Sequence, residues 1–524
     1  MKLQNLKFMP LSMVLLFSSV AAAIEDPIQV TSGAISGIEL GSGVSAYRGI
    51  PFAAPPVGDL RWQPPQPPIP WSGTLAAESY GPVCMQQRTE ALMSEDCLYL
   101  NVWTSAVAAN EKRPVMVWIH GGGWSSGASV NQDSSSTGIT GTYDGAAFAE
   151  NGVVLVSVNY RMSGFGFMAH PELSAESERG VSGNYGILDH IAALEWVQDN
   201  IAEFGGDPGN VTIFGESAGA ASVYALTATP LAKNLFHKAI AQSVWITSTN
   251  MTHLTEHNGL SESAESRGQR AIGNKLAELG ASGGGDMLES MRALSAEDVL
   301  SLQLEVSLIE DGWVYPKSAP EIFAEGSHNI VPLLAGINDG EGLLFVRGDR
   351  VPDSIADQRR IREAELGEFS GNLLDIYVAA SDADVLAVEV DYNTDSWFAR
   401  PTRELVRSMA RTPAATYMYV FTRNLHDPAQ RSPHAMELRY VFNELPDNAS
   451  EIDQKISELM NNYWVQFAAT GNPNRSGLPQ WPSYDLEMQQ HQLIGADVEQ
   501  GAFLLQDKLD ELDRYVKDRY QSAP

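Results

Sequence analysis

The chain is poor in cysteine, poor in positive charge and, beyond its N-terminal end, without a long apolar run. Only Cys84 and Cys97 occur among 524 residues, and no second Cys or His pair at ligand spacing joins them, which argues against a cysteine-held metal centre. Lysine and arginine number 34 against 65 aspartates and glutamates, a formal net charge of −31. So acidic a surface repels nucleic acid and anionic membranes, so neither is expected as a partner. The absence of a later stretch of about 20 apolar residues excludes an obvious membrane span.

What the N-terminus does have is Lys2 and Lys7, a mostly apolar segment from Phe8 to Val20, and then Ala21-Ala22-Ala23. That is the layout of a secretory signal peptide, so residues 1–23 are expected to be removed and the protein to be secreted or periplasmic; a retained anchor is the alternative. In an oxidising compartment Cys84 and Cys97 should close a short loop, whereas in a cytosolic protein they would be two buried thiols; export favours the disulfide.

Apolar runs at Pro114 to His120, Val153 to Tyr160, Val211 to Phe214, Val331 to Ile337 and Ala415 to Thr422 read as strands. Between them Ile187, Ile191, Leu194, Val197 and Ile201 recur at helical spacing. Strands alternating with helices predict an α/β fold, a largely parallel sheet covered on both faces with functional residues beyond the strand ends. Residues 24–524 are expected to form one domain, with a helical insertion or lid at about 250–310 and a C-terminal helix at about 503–520. The stripe of Leu505, Leu509, Leu512 and Val516 on that helix suits packing on its own core or a dimer seam, and the oligomeric state stays open.

The most informative stretch is Val211-Thr-Ile-Phe-Gly215-Glu216-Ser217-Ala218-Gly219, an apolar run breaking into Gly-x-Ser-x-Gly and then into small helix formers. A strand, a tight turn and a helix in that order would hold Ser217 at the tip of the turn, with helix N–H groups beside it. A serine hydroxyl needs a base and a group that orients the base. Glu341 follows an apolar strand in Asn338-Asp339-Gly340-Glu341-Gly342, and His434 lies further on, giving the order Ser, Glu, His. His120-Gly121-Gly122-Gly123-Trp124, directly after a strand, could bring bare backbone donors to a developing oxyanion. A phosphate-cradling role would need the Lys-Ser/Thr of a P-loop, which this loop lacks.

Several further segments carry a family resemblance: Tyr47-Arg48-Gly49-Ile50-Pro51-Phe52-Ala53, Glu95-Asp96-Cys97-Leu98-Tyr99-Leu100-Asn101-Val102, Asn159-Tyr160-Arg161, Gly183-Asn184-Tyr185-Gly186 and Phe204-Gly205-Gly206-Asp207-Pro208. With the glycine loop, the serine turn, Thr470-Gly471-Asn472-Pro473-Asn474 and Trp481-Pro482, the chain resembles the type-B carboxylesterase family over about residues 28–485. That resemblance implies the α/β-hydrolase fold, Ser217 as nucleophile, Glu341 as acid and His434 as base, and oxyanion donors at Gly122, Gly123 and Ala218. It places Cys84 and Cys97 where the family has its first disulfide, and pairs Arg161 with Asp189 and Arg61 with Glu95.

The implied reaction is ester hydrolysis through an acyl-enzyme, on a small-molecule or soluble ester, with no metal or organic cofactor. Two departures bear on it. The family usually has glycine after its histidine, whereas this chain has His434-Ala435, and the Cys84–Cys97 span holds no aromatic residue. A quaternary ammonium needs an aromatic face, so a choline ester is not the expected substrate. An amidase or a specialised hydrolase of xenobiotic or polymeric esters would use the same triad; a neuroligin-like adhesion protein would lack the nucleophile present here. Val244 and Trp245, where relatives often have glycine after Gln-Ser, either reshape the acyl side of the pocket or belong to the core.

Overall fold

The computed structural model of the chain describes residues 24, 26–87, 91–130, 142–245, 251–257, 261–280 and 286–520. The expected leader at 1–23 lies outside them. The central sheet has eleven strands: β1 (Ile38–Leu40), β2 (Val44–Pro51), β3 (Tyr99–Thr104), β4 (Arg113–Ile119), β5 (Val154–Val158), β6 (Gly206–Glu216), β7 (Lys238–Gln242), β8 (Leu333–Asn338), β9 (Thr416–Phe421), β10 (Gln490–Ile494) and β11 (Val498–Ala502). Their order across the sheet is β11-β10-β9-β8-β7-β6-β4-β5-β3-β2-β1.

The run from β10 to β5 is parallel throughout, while β11 at one edge and β3, β2 and β1 at the other pair antiparallel. The parallel strands β5, β8 and β9 are buried at every residue, so their sequences run apolar without alternation. β6 begins earlier than its apolar run: Asp207-Pro208-Gly209-Asn210 breaks the pattern, and its register against β4 shifts between Gly206 and Val211.

Helices α1 (Tyr185–Asn200), α2 (Ala218–Ala228), α3 (Ala264–Glu278), α4 (Ala319–Ala324), α5 (Arg400–Met409), α6 (Glu451–Thr470) and α7 (Gln506–Tyr520) include the longest crossovers and additions. α2 is buried at every position, and its Ala- and Gly-rich start lets its backbone lie close on the sheet. Between residues 251 and 310, Met251–His253 pairs parallel with Leu308–Glu310, and α3 with two short helices, Met287–Arg292 and Ala296–Leu300, lies in the same stretch. In α7, Leu509 and Leu512 are buried beside Tyr377, Tyr392 and Phe398, so this part of its stripe faces the protein's own core.

Cys84 and Cys97 form a disulfide. Arg161 and Asp189 form a bidentate pair, with Nε and Nη2 donating at 2.8 and 2.7 Å and both side chains almost fully buried. Arg61 and Glu95 pair similarly, while Arg61 Nη1 also donates to the Leu294 carbonyl at 2.6 Å. No helix among the described residues is long and apolar enough to cross a membrane.

Candidate active site

β6 ends on Glu216, and Ser217 follows at φ 57° and ψ −120° as the residue that caps α2. A serine in that region is strained by about 1–3 kcal/mol, and it persists only where its surroundings leave no other path. Those surroundings are visible. The Ser217 N–H donates to the Gln242 carbonyl at 2.9 Å, which ties the turn to the end of β7. A Cβ on Gly219 would sit 2.0 Å from the Ile119 carbonyl oxygen, and one on Gly215 would sit 2.5 Å from the Gly219 carbonyl carbon. The two glycines therefore let β4, β6 and the first turn of α2 meet backbone to backbone.

The loop leaving β4 closes over this turn. A Cβ on Gly121 would lie 3.1 Å from that of Ser217 and 2.8 Å from the Glu216 carbonyl oxygen. Gly122 and Gly123 take φ values of 106° and 64°. Trp124 is buried and anchors the loop, its indole N–H reaching the Ala218 carbonyl at 3.0 Å and Ser222 Oγ at 2.9 Å while its ring stacks on Phe167. Among the described residues the backbone N–H groups of Gly122, Gly123 and Ala218 find no acceptor, so all three remain available to an anionic oxygen.

Glu341 follows the end of β8 and is fully buried. Its Oε1 accepts from Ser243 Oγ at 2.6 Å and from the Asn338 N–H at 2.7 Å, leaving Oε2 to His434 Nδ1 at 2.5 Å. The other ring nitrogen, Nε2, lies 3.0 Å from Glu216 Oε1, but off the axis of an aligned hydrogen bond. Ser217 Oγ makes no hydrogen bond among the described residues, so the resting histidine faces the neighbouring glutamate rather than the serine. Phe398 and Phe345 pack on the imidazole at 4.5 and 5.1 Å between ring centres; Phe398 lies in a π-helical turn, Thr394–Ala399, leading into α5.

Two buried glutamates, Glu216 and Glu341, flank this histidine, and a third, Glu437, is buried close to both of them. Burial disfavours charge on His434, but Glu216 and Glu341 outweigh it and raise its pKa well above the ordinary value. Burial likewise raises Glu216, partly offset by His434. Glu437 accepts from Gln242 Nε2 at 3.0 Å and Asn338 Nδ2 at 2.6 Å, and burial followed by the charges of Glu216 and Glu341 pushes it up to about 8. The folded state thus holds this proton where the unfolded chain has released it. The resulting stabilisation is greatest below the ordinary carboxyl pKa and is lost as pH rises to about 8. Glu437→Gln should flatten the fall in melting temperature between about pH 5 and 8; scans of both proteins across that range with parallel slopes would contradict a proton on Glu437.

All the residues expected at the site by sequence lie in these segments, with Glu341 and His434 in direct contact. Sequence reasoning missed Ser243, Asn338, Glu216 and Glu437. Two signals were available: Ser243 directly follows a buried parallel strand, where functional residues gather, and Glu437 stands three residues after His434. Val244 is a core residue whose N–H donates to Thr402, while Trp245 is half-buried between two core clusters.

A family model described as "Carboxylesterase family" matches residues 25–511. Among curated proteins, fumonisin B1 esterase of Sphingopyxis macrogoltabida is 37% identical over 489 residues, covering 89% of this chain and 86% of the relative. Carboxylesterase 1D of Rattus norvegicus is 35% identical over 527 residues, covering 89% and 87%. Among solved structures, a PNB esterase superposes with a TM-score of 0.78 at 32% identity, covering 93% of this chain and 99% of that one. A carboxylesterase of Geobacillus stearothermophilus gives the same TM-score, 0.78, at 32% identity and the same coverage, 93% and 99%.

Proposed function

The chain belongs to the carboxylesterase family and is a carboxylic ester hydrolase, and from that premise we propose that it works through an acyl-enzyme on Ser217. His434 Nε2 turns from Glu216 to take the Ser217 proton as Oγ attacks the ester carbonyl. Glu341 holds Nδ1 and, with Glu216, favours the imidazolium that results. The oxyanion is received by the N–H groups of Gly122, Gly123 and Ala218. His434 then protonates the departing alcohol, and water repeats the sequence on the acyl group.

The observation that carries this reading is the 2.5 Å contact of His434 with a glutamate whose other oxygen is already committed to Ser243 and Asn338. Deprotonation of His434 is required for attack, so activity should rise with pH through its raised pKa. Phe345 and Phe398 favour an apolar group on the substrate beside the imidazole. The reading includes a single domain from residue 24 onward and export by the N-terminal leader, consistent with the Cys84–Cys97 disulfide.

The test is hydrolysis of p-nitrophenyl acetate before and after treatment with diisopropyl fluorophosphate, with the modified peptide sequenced by mass spectrometry. The expected result is loss of turnover with one adduct, on Ser217. Turnover that survives full labelling of Ser217, or an inactivating adduct on another residue, would overturn the mechanism.

A further inference from the structure

A cavity of about 340 Å³ opens at the surface between α4, α5 and α7. Its apolar side comes from Pro320, Phe323, Ala324 and Val516. Its polar side is cationic in a protein of net charge −31: Arg400, Arg407, Arg411 and Lys517 line it against only Glu404 and Asp513.

The two carboxylates are already taken. Glu404 receives Arg400 at 2.9 Å, and Asp513 receives the buried Arg403 at 2.6 Å with Arg400 at 3.6 Å. Arg407 makes only long ion pairs among the described residues, at 3.8 Å to Asp513 and 3.9 Å to Asp510, too far for a hydrogen bond, and Arg403 holds both carboxylates more closely, at 2.6 and 2.8 Å. Arg411 and Lys517 are exposed and make no ion pair among the described residues. Two cations without an ion pair among the described residues, Arg411 and Lys517, and the loosely paired Arg407 thus face one hollow, beside an apolar wall.

We propose that this cleft binds an amphipathic carboxylate, its chain against Phe323 and Val516 and its carboxylate on Arg407, Arg411 and Lys517. An inorganic anion would use the cations and leave the apolar wall bare; a neutral lipid would do the reverse. The guanidinium forks suit a carboxylate's two oxygens, and the loss of apolar surface from water adds to binding. Carboxylates are also what ester hydrolysis releases, so the cleft lies on the same molecule as a source of its ligand.

Isothermal titration of hexanoate into the full chain tests this without relying on turnover. Diisopropyl fluorophosphate treatment beforehand keeps the ligand from Ser217; if no adduct forms, the acyl-enzyme reading fails while the comparison of variants below still stands. The expected result is one bound equivalent, about tenfold weaker binding in Arg411→Gln/Lys517→Gln, and retained binding in the charge-preserving Arg411→Lys/Lys517→Arg. Hexanol should not bind, and inorganic phosphate should bind more weakly than hexanoate. Equal hexanoate affinity in the native and Arg411→Gln/Lys517→Gln proteins would overturn the proposal, as would phosphate binding as tightly as hexanoate. The melting temperature of each variant without ligand confirms folding, and the charge-preserving pair keeps the test decisive if the neutral one is destabilised.

Discussion

Ser217→Ala should lower kcat for an aryl ester by about five to six orders of magnitude, with the melting temperature nearly unchanged. The two halves of that expectation have separate causes. Oγ is the only atom removed; it makes no hydrogen bond among the described residues, and the strained backbone at φ 57° is retained because alanine and serine bear similar steric cost there. The glycine contacts that enforce the turn are also untouched. What disappears is the covalent route, while the N–H groups of Gly122, Gly123 and Ala218 still polarise a bound ester. A residual rate above water by about three orders of magnitude is therefore compatible with the mechanism. Purified variant retaining more than about one per cent of native turnover would contradict it, since loss of a true nucleophile costs far more than that.

The contrast between the serine turn and its partners explains what could be read in the sequence. Ser217 and the Gly121–Gly123 loop carry local signatures, because a strand breaking into a tight turn imposes glycine where Cβ atoms would strike Ile119, Gly219 or Ser126. Glu341 and His434 have no such mark, and only chain order and resemblance single them out. The groups that set their chemistry are less legible still. Ser243 reaches Glu341 across 98 positions, from the ends of neighbouring strands, and Gln242 reaches Glu437, on the segment after His434, across 195.

Burial follows the same division. The parallel strands announce themselves as unbroken apolar runs, whereas α5 carries Arg400 and Arg403 deep in the protein: Arg400 is met by Glu404 one turn on in the same helix, but Arg403 depends on Asp510 and Asp513 of α7. Asp513, which neutralises Arg403, arrives 110 residues later on α7. Glu216 is hardest to foresee, because the Gly-x-Ser-x-Gly pattern leaves its position free; only the approach of His434 gives that carboxylate an electrostatic role.

Asp189→Ala should be the most damaging single change away from the reacting groups. Asp189 Oδ2 accepts both the Arg161 backbone N–H at 2.9 Å and Nε at 2.8 Å, while Oδ1 accepts Nη2 at 2.7 Å. Alanine removes both acceptor oxygens and with them three hydrogen bonds, leaving Arg161, whose side chain is 4% exposed, with the Gln63 carbonyl at 2.8 Å as its remaining hydrogen-bond acceptor among the described residues. Stranding a buried charge costs about 3–5 kcal/mol. At the unfolding entropy typical of a chain this long, the apparent melting temperature should fall by about 3–5 °C at a fixed scan rate. Asp357→Ala, which breaks a pair whose arginine is 71% exposed, should cost less than about 1 kcal/mol and shift it by less than about 1 °C. Arg161→Met combined with Asp189→Ala separates the causes. Part of the loss should return when the orphaned charge is removed, because the penalty lies in burying an unmatched guanidinium more than in losing the pair's attraction. A double variant as unstable as the sum of its single changes would place the cost in packing instead, at the point where β5 leads towards α1 behind the serine turn.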